Sequence, residues 1–168
     1  MQDITPQPIV DKILSSDDHV SSLVLRVPVG LILAGHGAQK LFGWFGGYGL
    51  QGTGQWMASV GIEPGYTMAL LAGSAEFFGG IALVIGLLTR PAALVTAFTM
   101  LVAMLVVHWP NGFFLTTNGI EYSLTLLAAT CALLFQGGGA LSLDNVISRS
   151  RRNESVCSLS ASSTGWNG

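Results

Sequence analysis

Four hydrophobic stretches, at 22–42, 66–88, 91–107 and 121–135, limit what this chain can fold into. The longest, Tyr66–Leu88 (YTMALLAGSAEFFGGIALVIGLL), carries one charge, Glu76. At a rise of 1.5 Å per residue its 23 residues reach about 35 Å, enough to cross a hydrocarbon core of about 30 Å. The expected fold class is an all-α membrane protein, an antiparallel, left-handed four-helix transmembrane bundle. Half of the residues are hydrophobic and 10% are charged, which sets the chain apart from an ordinary soluble domain. With roughly half of the chain in spans, no separate catalytic domain fits.

The basic residues set the expected orientation. Lys12 and Arg26 stand at or before the start of span 1, Arg90 in the turn between spans 2 and 3, and Arg149, Arg151 and Arg152 after span 4. Only Lys40 stands at the opposite side, so the positive-inside rule puts both termini in the cytoplasm of a multi-pass inner-membrane protein. The acidic, polar N-terminus lacks the basic segment of a signal peptide. The chain divides into a polar N-terminal segment (1–20), a transmembrane domain (21–147) and a polar tail (148–168) expected to be disordered.

The turn Leu88-Thr89-Arg90-Pro91 reads as a short helical hairpin, with Pro91 opening the next helix. The outer 1–2 loop is glycine-rich, which argues against regular structure, although Thr53 is placed to cap a short helix that Gly61 would end. Its aromatic residues Trp44, Phe45, Tyr48 and Trp56 fit an interfacial belt or, alternatively, a lid over a site.

Polar residues inside spans are costly and point to function or to pairing. Counting along the helices from the outer ends sets Lys40 near the rim, His36 deeper and Glu76 near the midplane, with His108 and Glu121 at the ends of spans 3 and 4. These residues outline a funnel open to the outside with Glu76 at its floor. Arg26 stands near the opposite end, where it can snorkel to the headgroups.

Helical periodicity assigns the faces. Ala69, Ala72, Gly73, Glu76, Gly79 and Gly80 form a small-residue stripe on which helices approach closely, so Glu76 faces protein. His36 and Lys40 share a face of span 1; Glu121, Thr125, Ala128 and Ala132 share one of span 4. A bundle lock, with Lys40 neutralising Glu121 at the rim, is the plain structural reading of these charges. For Glu76 and His36 the functional reading is proton exchange. Lys40, His108, Glu121, Trp44, Tyr48 and Trp56 are the candidate ligand-binding residues, and Arg26 and Arg90 the structural ones. No metal site is expected, since these residues show no ligand spacing within a helix. Cys131 and Cys157 indicate neither a disulfide nor a metal site.

Over Leu25–Asp144 the chain resembles the DoxX family of small four-helix bacterial membrane proteins. The resemblance lies in Leu25-Arg26-Val27, GLILAGHGAQKLFGWFGG, the GTGQWMASVGI loop, AEFFGGIALVIGLLTRPAAL, His108 and NGIEYSLTLLAA. It implies that Arg26, His36, Lys40, Glu76, Arg90, His108 and Glu121 occupy the family's recurrent polar positions. It also implies an integral membrane subunit of an oxidoreductase system that handles quinone-like or reactive molecules, or else a non-catalytic anchor for redox-defence proteins. The sequence encodes no flavin, nicotinamide or haem motif, so a quinone or a redox partner subunit would have to supply the electron carrier. Membrane lipid and a second copy of the chain are further expected partners; nucleic acid is not. A solute carrier has little support, because no inverted repeat is present.

Overall fold

The computed structural model describes residues 20–151. The N-terminal segment and all but the first residues of the tail therefore lie outside the described part. Helices α1 (Ser21–Phe42), α2 (Gly49–Ser59), α3 (Gly65–Ile85), α4 (Thr89–Val102) and α5 (Glu121–Gln136) follow in order. A last helix, α6, covers 143–151, so the chain remains helical beyond Ile147. Among the described residues there is no strand.

Three helical runs are long and apolar enough to cross a membrane: Ser21–Phe42, Gly65–Ile85 and Thr89–Asn111. The third extends α4 through a π-helical segment, Ala103–His108, and a 3-10 turn, Trp109–Asn111. Helix α5 is apolar but has 16 residues, about 24 Å, short of a full hydrocarbon core.

One apolar core draws on four helices. Val29 and Leu33 of α1 meet Leu83 of α3, Ala92, Ala93 and Met100 of α4, and Leu126 and Leu133 of α5. The most extensive contact joins α1 and α3; α4 packs on α5 and α3, while α1 meets α5 through a smaller contact. The stripe expected on span 2 is the α1–α3 seam, with Ala69, Gly73, Glu76, Gly80 and Leu83 buried. A Cβ at Gly37 would stand 2.3 Å from the Phe77 backbone nitrogen, and one at Gly80 would stand 2.5 Å from that of Ala34. The two backbones therefore touch, as small-residue seams in membranes allow.

The glycine-rich loop is more regular than expected. Helix α2 begins at Gly49, four residues before Thr53, so Thr53 caps nothing and instead donates to the Lys40 carbonyl at 3.5 Å. Two of the glycines serve packing: a Cβ on Gly65 would lie 2.2 Å from the Gly54 carbonyl oxygen, a contact that draws α2 onto α3. Gly61 follows the helix end with φ +86°, as anticipated.

Pro91 falls in the first turn of α4, and the turn before it has an unanticipated clamp. Leu88 is left-handed (φ 48°), a conformation costing a non-glycine residue about 1–3 kcal/mol. The Asp144 carboxylate, brought in by α6, accepts the N–H groups of Leu88 at 2.7 Å and Thr89 at 2.8 Å. It thereby caps α4 from the far end of the chain, where an anion also complements the helix dipole.

Candidate functional site

Glu76 is buried at the α1–α3 seam and pairs directly with Lys40. The Glu76 side chain is 3% exposed and that of Lys40 25%, so the pair reaches from the buried seam toward the surface. This corrects the expectation that Lys40 neutralises Glu121 at the rim. Depths counted along the backbone ignore the four-carbon lysine stem, which carries the ammonium roughly one helical turn inward. A buried carboxylate without a partner is costly, and the lysine reaches down to it.

His36, one turn before Lys40 on α1, bonds through Nε2 to the Tyr122 hydroxyl of α5 at 3.1 Å. The rings meet edge-on, with centroids 5.7 Å apart and planes at 63°. Glu76 lies within electrostatic range of both His36 and Tyr122. Glu76 of α3 thus has three proton-bearing groups around it, Lys40 and His36 of α1 and Tyr122 of α5. Tyr122 was not anticipated, because the face of span 4 was phased on Glu121. Thr125 and Ala128 on that face are exposed, and the buried face carries Ser123, Leu126, Thr130 and Leu133. Spacing of i, i+4 and i+7 from Tyr122 through Leu126 to Ala129 was the available signal.

Beside the His36–Tyr122 pair the surface of α1 is hollowed by a shallow depression of about 240 Å³. Leu31, Ile32 and Phe45 form its apolar walls, Gly35 its floor, and His36, Gln39 and Tyr122 its polar edge.

His108 and Glu121 direct their polar atoms into the connection between α4 and α5. His108 Nδ1 is 2.9 Å from the Asn118 carbonyl, and Glu121 accepts the Leu115 N–H at 2.8 Å. They hold that loop, while the contact at Glu76 comes from Lys40. Trp44 packs on Phe42 at 4.9 Å and on Phe45 at 6.5 Å. Tyr48 and Trp56 are exposed, Tyr48 at 84%. Among the described residues no three His, Cys, Asp or Glu side chains are grouped as a metal ion would require.

At the opposite end, Arg26 is 1% exposed, so it is no snorkelling residue. Its guanidinium donates to the carbonyls of Gly138 at 3.0 Å and Leu83 at 3.0 Å, and also to those of Val84 and Leu141. The planar fork thus ties the end of α3 to the segment after α5, with Asp144 as a nearby countercharge. Ser22 adds a bond to the Gly137 carbonyl. Arg90 donates to the Leu134 carbonyl at 3.2 Å. The backbone makes room for Arg26: a Cβ on Gly86 (φ +69°) would stand 3.0 Å from its Cζ.

Comparison with known proteins follows the same outline. A family profile described as DoxX matches residues 21–109. A Bacillus subtilis protein named "Putative oxidoreductase CatD" is 29% identical over 137 residues, covering 82% of this chain and 94% of its own. The "Inner membrane protein YqjF" of Escherichia coli is 34% identical over 137 residues, 79% of this chain and 95% of that one. The "Inner membrane protein YphA" of the same organism is 32% identical over 127 residues, with coverages of 73% and 86%. No solved structure matches the chain.

Proposed function

We propose, from the premise that this chain belongs to the DoxX family of membrane proteins, that it is a membrane subunit of an oxidoreductase system handling quinone-like or reactive small molecules. The observation that carries this reading is the His36–Tyr122 pair at the edge of an open depression, with the Lys40–Glu76 pair within electrostatic range behind it. Reducing a quinone to a quinol takes two electrons and two protons. The electrons come from the redox group of a partner subunit, soluble or membrane-bound. Protons are this chain's part: Glu76 and His36 exchange them, Tyr122 links His36 to the surface, and Lys40 holds the carboxylate in place. His108 and Glu121 brace the connection between α4 and α5, and the aromatic residues Trp44, Tyr48 and Trp56 belong to the segment between α1 and α3.

The proposed setting is a four-span antiparallel bundle in the bacterial inner membrane with both termini cytoplasmic, alone or as a homodimer. A cysteine at Gln51 should then react with an impermeant reagent in intact cells, while one at Ser160 should not; the reverse would overturn the orientation. The quinone reading is tested by purification in mild detergent, solvent extraction and mass spectrometry. Co-purified quinone is expected, at a level that falls in the His36→Ala protein. A quinone-free preparation from quinone-replete cells would count against it.

A second reading, a non-catalytic anchor or assembly partner for redox-defence proteins, draws on one observation. The Lys40–Glu76 pair is complete in itself and joins α1 to α3, as a bundle lock would.

A further inference from the structure

Gly35 is an unusual glycine in this chain. A Cβ built on it meets no atom within 4 Å, whereas one at Gly30, Gly37 or Gly80 would collide with the facing helix. A glycine inside a helix costs about 1 kcal/mol relative to alanine. At Gly30, Gly37 and Gly80 close packing compensates; at Gly35 it does not. The missing side chain leaves a hollow in the surface of α1, with the His36–Tyr122 pair along its edge.

The mouth of the hollow faces sideways. Leu31 is 60% exposed and Ile32 38% exposed, and both belong to a helix long and apolar enough to cross a membrane. These walls face hydrocarbon, so whatever enters must be dissolved in the bilayer. The polar edge selects further. With its proton on Nε2, His36 donates to the Tyr122 oxygen and leaves the phenolic O–H free to donate outward. The Gln39 amide, whose nitrogen lies 3.4 Å from the Phe45 carbonyl, brings further N–H donor capacity to the same edge. A flat apolar ring with carbonyl acceptors at its rim satisfies both the walls and these donors.

We propose that the depression floored by Gly35 between α1 and α5 is the seat of a quinone ring, and that the ring arrives laterally from the lipid, not through the aqueous-side loops. The proposal rests on the quinone reading above and adds the place and the route.

Plugging the hollow tests it. Gly35→Leu builds into the space from a Cβ that meets no neighbour within 4 Å and replaces a poor helix former with a good one. Leu31→Phe narrows the mouth from an exposed position and carries the test if the first variant does not fold. Each protein is placed in lipid nanodiscs, its helicity checked by circular dichroism, and titrated with decylubiquinone. The readout is quenching of tryptophan fluorescence, to which Trp44 contributes beside the wall residue Phe45. The parent protein should quench saturably, and either plug should weaken the apparent affinity about tenfold or more. Saturable quenching with unchanged affinity in the plugged proteins would overturn the seat and leave the quinone reading standing. Quenching that never saturates in the parent means partition into lipid, and both would fall.

Discussion

Replacing Arg26 with Met removes the guanidinium while keeping an unbranched apolar side chain in its place. Four carbonyls lose a donor: those of Leu83, Val84, Gly138 and Leu141. The Leu83 carbonyl keeps a second donor, the Gly86 N–H at 3.2 Å, so the cost falls on the carbonyls of Val84, Gly138 and Leu141. An unsatisfied buried acceptor costs about 1–3 kcal/mol, so three give at most roughly 3–9 kcal/mol, with the half-buried Val84 and Leu141 carbonyls at the low end. Groups sharing one donor relax together, and Asp144 loses a nearby positive charge, so about 3–5 kcal/mol is expected. Arg26→Lys should recover only part of this, because one ammonium cannot span the end of α3 and the Gly138–Leu141 segment as a planar fork does. The assay is reversible unfolding in mixed micelles with increasing SDS, followed by circular dichroism. A loss below about 0.5 kcal/mol for Arg26→Met, the range of ordinary surface substitutions, would refute the reasoning. It would mean that Arg26 reaches the headgroups after all.

Gly37→Ala should separate α1 from α3, since the added methyl would stand 2.3 Å from a backbone nitrogen; a loss of about 1–3 kcal/mol in the same assay is expected, against a gain if the seam were loose. Asp144→Ala should remove the clamp on Leu88 and Thr89 and cost about 1–2 kcal/mol; amide exchange should accelerate at the start of α4 and remain unchanged at its far end.

The sequence marks spans, seam and midplane acid clearly because each has a short-range signature. Hydropathy reports burial in lipid, a small-residue repeat reports close approach, and a lone charge in an apolar run has few explanations. Partnership is less legible. Lys40 and Glu76 stand 36 residues apart, and the length of a side chain decides whether they meet. Asp144 lies 55 residues from Thr89, after the last span, where a carboxylate is indistinguishable in sequence from one that faces water. Arg26 looked like a headgroup residue because position along a helix does not reveal that the segment after α5 folds over its end. Tyr122 was obscured by its neighbour Glu121, whose charge attracted the phase of the helix. Among the outer-loop glycines, Gly43, Gly46, Gly49 and Gly61 use the freedom of the backbone with positive φ, whereas Gly54 and Gly65 are there for contact, which composition alone does not distinguish.

In the proposed function, the buried Glu76 held by Lys40 serves proton exchange and not packing alone. Glu76→Gln tests it most directly, since glutamine preserves the shape and a hydrogen bond to the protein but cannot titrate. The measurement is survival under a benzoquinone challenge in a strain lacking the endogenous protein, complemented with either form at equal membrane abundance. The Glu76→Gln protein should accumulate and fold like the parent yet give no protection. Full protection by that protein would contradict the account, and the pair would stand as a lock between α1 and α3.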